Sequence, residues 1–372
     1  MTIYADNAAT TQLDKAAFDA MIPWLLEEYG NASQPYSFAR KPKQALADAR
    51  KIIAECIGAD PEEIFFTSGG SESDNWVIKS SAFSDFEKRA TITTAFEHHA
   101  ILHSCEAIER LGYPVAYMKP TADGQITPEI LEKYITDRTR LVSVMLANNE
   151  IGSIQPIKEL CSIAHSYGAL FHTDAVQAIG HLKIDVHELG VDFLSASAHK
   201  FNGPKGIGFL YIRNGVSLAP YEDGGAQEFG HRAGTENIAS IVGMAKALSE
   251  NCNHIKENIS HKKHLEELLI NELESEKIHY YRNGGDNTLP GLMSISFRGL
   301  DGEAILHRLD LAGICISTGA ACDSVNTKIS HVLRSINLDE SYAKGTIRIS
   351  LGKNNTESDV KRIVSALKRV VK

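Results

Sequence analysis

An α/β fold follows from three features of this 372-residue sequence, with a large domain on a mostly parallel seven-stranded sheet and a smaller α+β domain. Short apolar runs alternate with longer amphipathic stretches through the first two-thirds, the pattern of strands joined by helical crossovers. Small, hydroxyl and charged residues gather just after those runs, where open parallel sheets hold their ligands. About the last hundred residues change character and mix strands with helices less regularly.

The strand runs, in order, are Glu63–Thr67, Ala90–Thr94, Val115–Met118, Leu141–Met145, Ala169–Thr173, Asp192–Ser195 and Gly208–Ile212. Each is too short for a stable helix and apolar enough to be buried on both faces. Between them lie helical patterns at Lys43–Ile57 (after Pro42), Ser73–Ser81, Ala100–Leu111, Pro128–Ile135 and Ile157–Tyr167. One long helical segment is expected from Thr235 to Glu276, polar around Asn251–Lys263 as a surface helix or a joint between domains would be. The remainder reads as a strand at Leu292–Phe297, a helix at Gly302–Ala312 and a strand at Gly313–Ser317. A Gly/Ala/Ser/Asn stretch, a strand at Thr346–Ser350 and a terminal helix follow. The domains expected are residues 16–258 and residues 1–15 with 259–372.

Composition narrows the class. With 43% hydrophobic and 23% charged residues, the chain is neither disordered, collagen-like nor a disulfide scaffold. A net charge of −9 without a long Lys/Arg run argues against direct nucleic-acid binding. No apolar run approaches the roughly 20 residues of a membrane-crossing helix. The opening MTIYADNAATTQLD lacks a charged-then-apolar targeting pattern, so a cytoplasmic protein is expected. The six cysteines, Cys56, Cys105, Cys161, Cys252, Cys315 and Cys322, form no CxxC pair, which disfavours a structural zinc site and suits free thiols in a reducing compartment. His99 and His103 could face one way on a helix, but with no third ligand in the pattern a metal site is not expected.

Three segments carry chemistry. Thr67-Ser-Gly-Gly-Ser-Glu-Ser73 follows a strand and opens a helix, so its glycines and unpaired N–H groups suit an anion; an ordinary helix start is the alternative. Val191-Asp-Phe-Leu-Ser-Ala-Ser-Ala-His-Lys200 ends a strand in small and hydroxyl residues before His199 and Lys200, and Gly203-Pro-Lys-Gly-Ile-Gly208 follows. An amine lodged among such residues can be desolvated, lose its proton and act as a nucleophile. Phe171-His-Thr-Asp-Ala-Val-Gln177 places Asp174 past another strand, as a partner for a ring-nitrogen cation or as a helix cap, with Gln177 near a neighbouring oxygen.

The stretch from Val191 to Leu210 resembles the lysine signature of the class V aminotransferase group of pyridoxal-phosphate enzymes. Further blocks are similar to the cysteine desulfurases within it: Tyr4-Ala-Asp-Asn-Ala-Ala-Thr-Thr11, Gly30-Asn-Ala-Ser33, Thr67–Asn75, Glu97-His98 and Asn148-Asn-Glu-Ile-Gly152. The same holds for Asp174–Gln177, Arg232-Ala-Gly-Thr-Glu-Asn237, Ser317-Thr-Gly-Ala-Ala-Cys322 and Ile347-Arg-Ile-Ser-Leu-Gly352. The resemblance implies the aspartate-aminotransferase-like fold (fold type I) and pyridoxal 5'-phosphate as cofactor. It implies that Lys200 holds the cofactor and moves protons, and that Asp174 keeps the pyridine nitrogen protonated. Gln177 would bond the phenolic oxygen, and His98 would stack on the ring and act in acid–base steps. Gly70, Ser71, Ser197 and His199 would cradle the phosphate, and Thr235 would reach the phosphate of the partner subunit, which implies a homodimer.

Cys322 sets the subclass. A lone cysteine is usually a small buried hydrophobe, and Cys56 and Cys315 sit in such settings, whereas Cys322 lies among loop formers, as in the long-loop desulfurases. The reaction implied is L-cysteine to L-alanine, with Arg348 and Asn149 clamping the substrate carboxylate and Cys322 taking the sulfur as a persulfide for a protein acceptor. Asp323, directly after Cys322, departs from the Ser or Thr of many relatives and disfavours the thiolate by like-charge repulsion. The alternatives are a class V aminotransferase, which needs no thiol, a selenocysteine lyase, or a scaffold that has lost catalysis. The sequence does not name the sulfur's destination: iron–sulfur assembly, tRNA thiolation or DNA phosphorothioation.

Overall fold

The computed structural model describes residues 2–84, 89–319 and 329–371. Its strands are β1 (Ile3–Tyr4), β2 (Ile64–Thr67), β3 (Ala90–Thr94), β4 (Val115–Met118), β5 (Thr139–Ser143) and β6 (Leu170–Asp174). They continue with β7 (Phe193–Ser197), β8 (Gly208–Ile212), β9 (Tyr281–Asn283), β10 (Leu292–Ser296), β11 (Ile314–Cys315) and β12 (Thr346–Ser350). The helices are α1 (Lys15–Leu26), α2 (Arg40–Ile57), α3 (Gly70–Phe83), α4 (His99–Glu109), α5 (Pro128–Glu132), α6 (Ile157–Ser166) and α7 (Val186–Leu189). After them come α8 (Ile238–Asn253), α9 (Ile255–Ser275), α10 (Gly302–Leu311), α11 (His331–Ser335), α12 (Glu340–Ala343) and α13 (Glu357–Val371).

The central sheet has seven strands in the order β2-β8-β7-β6-β5-β3-β4. Neighbours from β4 to β7 are parallel, and only β8 runs against its partners β7 and β2. Every residue of β2, β7 and β8 is buried, which is why these strands read as unbroken apolar runs rather than alternating ones. Parallel strands point their carboxyl ends the same way, so the residues after β3, β5, β6 and β7 meet along one edge.

Of the three apolar cores among the described residues, one packs α3 and α4 on the sheet through Trp76, Ile78, Ile101 and Ile108, and the other two flank that edge. The larger packs the sheet against helices that include α2, α6 and α8. The smaller joins Ile3 and Ala5 to Leu265, Leu269, the β10 and β12 interiors and the inner face of α13. Its sheet is antiparallel, in the order β12-β10-β9, and β1 pairs with β11. The extreme N-terminus therefore folds with the C-terminal hundred residues and passes between the cores on its way to α1.

Several expectations are corrected. The single helix from Thr235 to Glu276 is two, α8 and α9, broken at His254 (φ −113°, ψ 22°). Poor helix formers surround the break, and Asn251 donates its amide to the Phe201 and Ala247 carbonyls, tying this end of α8 to the turn after β7. β5 starts and stops two residues before the predicted Leu141–Met145, because Val144 and Met145 stay buried beyond the end of the ladder. β11 is shorter than Gly313–Ser317. Helix α1 was not anticipated: Pro23 inside it and the exposed Leu25 and Leu26 blur its pattern.

Candidate active site

A cavity of about 320 Å³ opens at the carboxyl edge of the sheet, between the two cores. Of the residues singled out from the sequence, Gly70, Ser71, His98, Asn149, Asp174, Gln177, Ser197, His199, Lys200 and Arg348 all line it. Thr235 does not; it is exposed elsewhere on the surface. Cys322 lies outside the described residues. Gly319 and Ser330, on either side of that stretch, both line the cavity.

Lys200 sits on the short turn after β7, and its Nζ donates to the carbonyls of Ala8 (2.6 Å) and Ala9 (2.9 Å). The Ala8 carbonyl also accepts from Gln177 Nε2 at 2.9 Å. The N-terminal segment thus closes one wall of the cavity and aligns both side chains through a single backbone oxygen.

Asp174 ends β6, and one of its oxygens accepts the Val176 amide at 2.9 Å. Burial pushes this carboxyl up to about 6, with the Val176 amide and the Lys200 charge pulling it back. A buried carboxyl held this way gains most from a cation presented to it, such as a protonated ring nitrogen. His98 caps α4: its Nδ1 accepts the Ala100 amide at 3.1 Å, so the ring proton resides on Nε2. Burial, followed by the Lys200 charge, pushes His98 down to about 4, which leaves it neutral. His199 is pushed down to about 4 by the same two causes, and its Nδ1 meets the Thr10 hydroxyl at 3.1 Å.

The fourteen-residue α3 begins at Gly70, and its cap residue, Gly69, offers no side-chain acceptor to the open N–H groups. Gly69 has φ +148°, a conformation that side chains disfavour. A Cβ on Gly208 would lie 2.3 Å from the Ala196 carbonyl oxygen and 2.7 Å from Gly69 Cα. Position 208 of β8 therefore admits only glycine beside the loop. Open helix amides, a buried acid, a lysine and a neutral histidine fit a flat, cationic, phosphate-bearing cofactor.

Arg348 reaches in from β12. Its Nη2 donates to Asp6 Oδ1 at 2.7 Å and its Nη1 to the Asn149 carbonyl at 2.8 Å, while its Nε is buried without a partner. Those two bonds hold the guanidinium fork in place at the opening opposite Lys200's wall.

Sequence reasoning missed three acids. Asp74 is buried and lines the cavity, raised by burial first and by Asp174 second. It lies four residues after Gly70, on the same helix face, which is the signal that could have found it. Glu97 lies behind His98, its Oε1 accepting from Met145 N and the Thr94 hydroxyl at 2.9 Å each, and burial pushes it up to about 8. Asp6 orients Arg348, and nothing in its local sequence announces that. The pair His99 and His103 stack at 5.0 Å, and among the described residues no cluster suits a metal ion.

A family model described as aminotransferase class-V matches residues 3–363. A curated relative, the cysteine desulfurase IscS of Dictyoglomus turgidum, is 45% identical over 371 residues, covering 99% of this chain and 94% of the relative. The solved structure of a NifS-like protein superposes with a TM-score of 0.94 at 36% identity, covering 100% of this chain and 99% of that one. The structure of SspA in complex with cysteine gives 0.85 at 36% identity, covering 95% of this chain and 100% of that one.

Proposed function

The chain belongs to the aminotransferase class-V family as a pyridoxal-phosphate-dependent cysteine desulfurase, and we propose that it converts L-cysteine to L-alanine through a persulfide on Cys322. Bound pyridoxal phosphate supplies a cationic ring able to take up the electron pair released at the substrate α-carbon.

The protein's own groups do the rest. Gly70, Ser71, Ser197 and His199 would hold the phosphate, with Thr235 serving the partner subunit's site. Asp174 would pair with the ring nitrogen, His98 would stack on the ring, and Gln177 would bond the phenolic oxygen. Arg348 and Asn149 grip the substrate carboxylate, since a guanidinium fork matches that planar anion. Lys200 Nζ takes the α-proton. The Cys322 thiolate then attacks the substrate sulfur: a sulfur–sulfur bond forms, the carbon–sulfur bond breaks, and the three-carbon fragment is protonated to alanine.

The observation that carries this reading is that Gly319 and Ser330, which flank the segment bearing Cys322, both line the cavity with Lys200 and Arg348. Three residues of chain span at most about 10 Å, and Cys322 follows Gly319 by three positions, which supports its assignment as the nucleophile. The test is Cys322→Ala. The variant keeps the visible absorption of the bound cofactor and loses sulfide and persulfide production. Sulfide release at the parent rate sinks the assignment, and loss of the colour reassigns Cys322 to structure.

A homodimer in the cytoplasm, handing sulfur to a protein acceptor, completes the proposal. Support for the dimer comes from the exposed Leu26 and Tyr29, 74% and 73% accessible, with Phe38 edge-on to Tyr29, and from the surface position of Thr235. Five cysteines among the described residues are free thiols, and no described helix is long and apolar enough to cross a membrane. The second core, whose buried residues all lie at positions 3–5 and 265–367, supports a smaller domain built from residues 1–15 with 259–372 beside residues 16–258.

A further inference from the structure

A second cavity, of about 580 Å³, lies behind the first and shares Ala8 and Gln177 with it as a dividing wall. Its walls come from the N-terminal segment, from α8 and α9, and from the Gly352–Lys353 loop before α13, so it occupies the seam between the two cores. Nothing in the desulfuration chemistry uses it.

One group inside it is out of keeping with a solvent-filled gap. Lys262, on the inner face of α9, is 5% exposed. Its Nζ meets His181 Nδ1 at 3.2 Å, and His181 Nε2 donates to the Lys200 carbonyl at 2.9 Å. Burial pushes His181 down to about 3, so the ring is neutral and Nδ1 accepts. That uses one of the ammonium's three protons. Among the described residues no carboxylate pairs with Lys262, and burial alone pushes it down to about 8. Three other charged residues line the cavity: Lys353 holds Asp14 at 2.6 Å, Asp359 accepts the Thr356 amide at 3.0 Å, and Arg362 is exposed to solvent. A Cβ on Gly291 would stand 3.2 Å from Lys262 Cβ, so the stem is packed in place.

Burying an ammonium without a counter-ion is costly, and it persists where an anion joins it. The remaining lining is rich in neutral amides, with Asn202, Asn251 and Asn258 among them. A cavity this size takes a small molecule, and a fixed cation among neutral polar groups is the usual way to orient one. We propose that this cavity is a second small-molecule site, separate from the catalytic one, that binds a small oxyanion, carboxylate or phosphate, on Lys262.

The experiment uses the cofactor-loaded enzyme, whose own phosphate site is filled, dialysed into a buffer free of oxyanions. Inorganic phosphate and succinate are titrated separately, with sodium chloride matching the ionic strength, while the thermal midpoint and the heat of binding are followed. The expected result is a saturable rise in midpoint with phosphate, succinate or both. Phosphate alone acting identifies a phosphate-bearing ligand, and succinate alone a carboxylate. Lys262→Gln, which keeps a donor for His181, weakens binding by about tenfold or more, as loss of a charge-assisted contact requires. Arg348→Lys, altered in the other cavity, binds the probes as the parent does. No saturable response in the parent overturns the proposal whatever the variants do. So does binding unaffected by Lys262→Gln, or binding weakened by Arg348→Lys instead.

Discussion

The cavities on either side of the Ala8–Gln177 contact handle charge in opposite ways. In the front one, acids and bases oppose each other: Asp174 is raised to about 6 and His98 lowered to about 4, both mainly by burial, and the Lys200 charge acts on both. In the back one the buried Lys262 ammonium faces a neutral histidine and several amides, while the other charged lining residues, Lys353, Asp359 and Arg362, are less buried. Burial disfavours the charged form of both Asp174 and His98, so each responds to a proton or charge brought to it, whereas a buried cation without a carboxylate partner attracts an anion. The same seam between two cores thus yields one chamber suited to moving protons and another suited to holding an anion.

The largest test of that contrast is Lys200→Arg. A guanidinium keeps the positive charge but does not give up its proton. If the front cavity works by proton transfer, alanine formation in a single turnover falls by about 100-fold to 10,000-fold or more. Activity within tenfold of the parent would mean that charge alone suffices there, and the contrast would fail.

Stability against pH separates the chambers next. Glu97, behind the front cavity, is raised from its ordinary 4.5 to about 8 by burial. Its contribution is intact below 4.5 and is lost as pH rises through about 8. Glu97→Gln should therefore gain on the parent across that window. Lys262 is lowered from 10.5 to about 8 by burial, so its cost is absent above 10.5 and complete below about 8. Lys262→Met should gain on the parent as pH falls, by about 3 kcal/mol once below that range and without an oxyanion present. Denaturant midpoints measured from pH 5 to 9.5 read both slopes. Parallel slopes would contradict the assignment of one unpaired acid in front and one unpaired base behind.

How much of this was visible beforehand follows from where each residue's role is decided. Lys200, Asp174 and the Gly69–Gly70 loop come directly after apolar runs, so their positions at the sheet edge follow from the strand pattern. The strands themselves were legible because both faces of the sheet are covered. Asn149 and Arg348 entered through family resemblance, since a lysine or arginine in a short strand otherwise reads as a solvated charge. Asp74 was legible only through its helical spacing from Gly70, and Asp6, Glu97 and Lys262 were not legible. Lys262 falls in a polar stretch of α9 that local pattern assigns to the surface, and only the packing of the second core buries it. The break at His254 is hidden for a related reason: Asn251 is anchored to the Phe201 carbonyl, 50 positions away in sequence.

A smaller effect is expected where the front cavity's cation meets substrate. Arg348 is held by Asp6 at 2.7 Å and the Asn149 carbonyl at 2.8 Å, which aims its fork rather than leaving it to search. Arg348→Lys retains the charge and loses the fork, so KM for cysteine should rise by about 10-fold to 100-fold with a smaller fall in kcat. A fall in kcat with KM unchanged would place Arg348 in the chemical step instead.

The mildest test concerns the rim. The Thr10 hydroxyl meets His199 Nδ1 at 3.1 Å, and the Thr11 hydroxyl donates to the His199 carbonyl at 2.8 Å, so the N-terminal segment grips this residue twice. Thr10→Val removes only the side-chain partner. With one neutral hydrogen bond worth about 1 kcal/mol, cofactor affinity measured by release of absorbance should weaken by about fivefold. Oxyanion binding in the back cavity should stay as in the parent, because the Lys262–His181 contact does not involve Thr10. If both change together, the Ala8–Gln177 wall transmits between the chambers, and they must be treated as one coupled site.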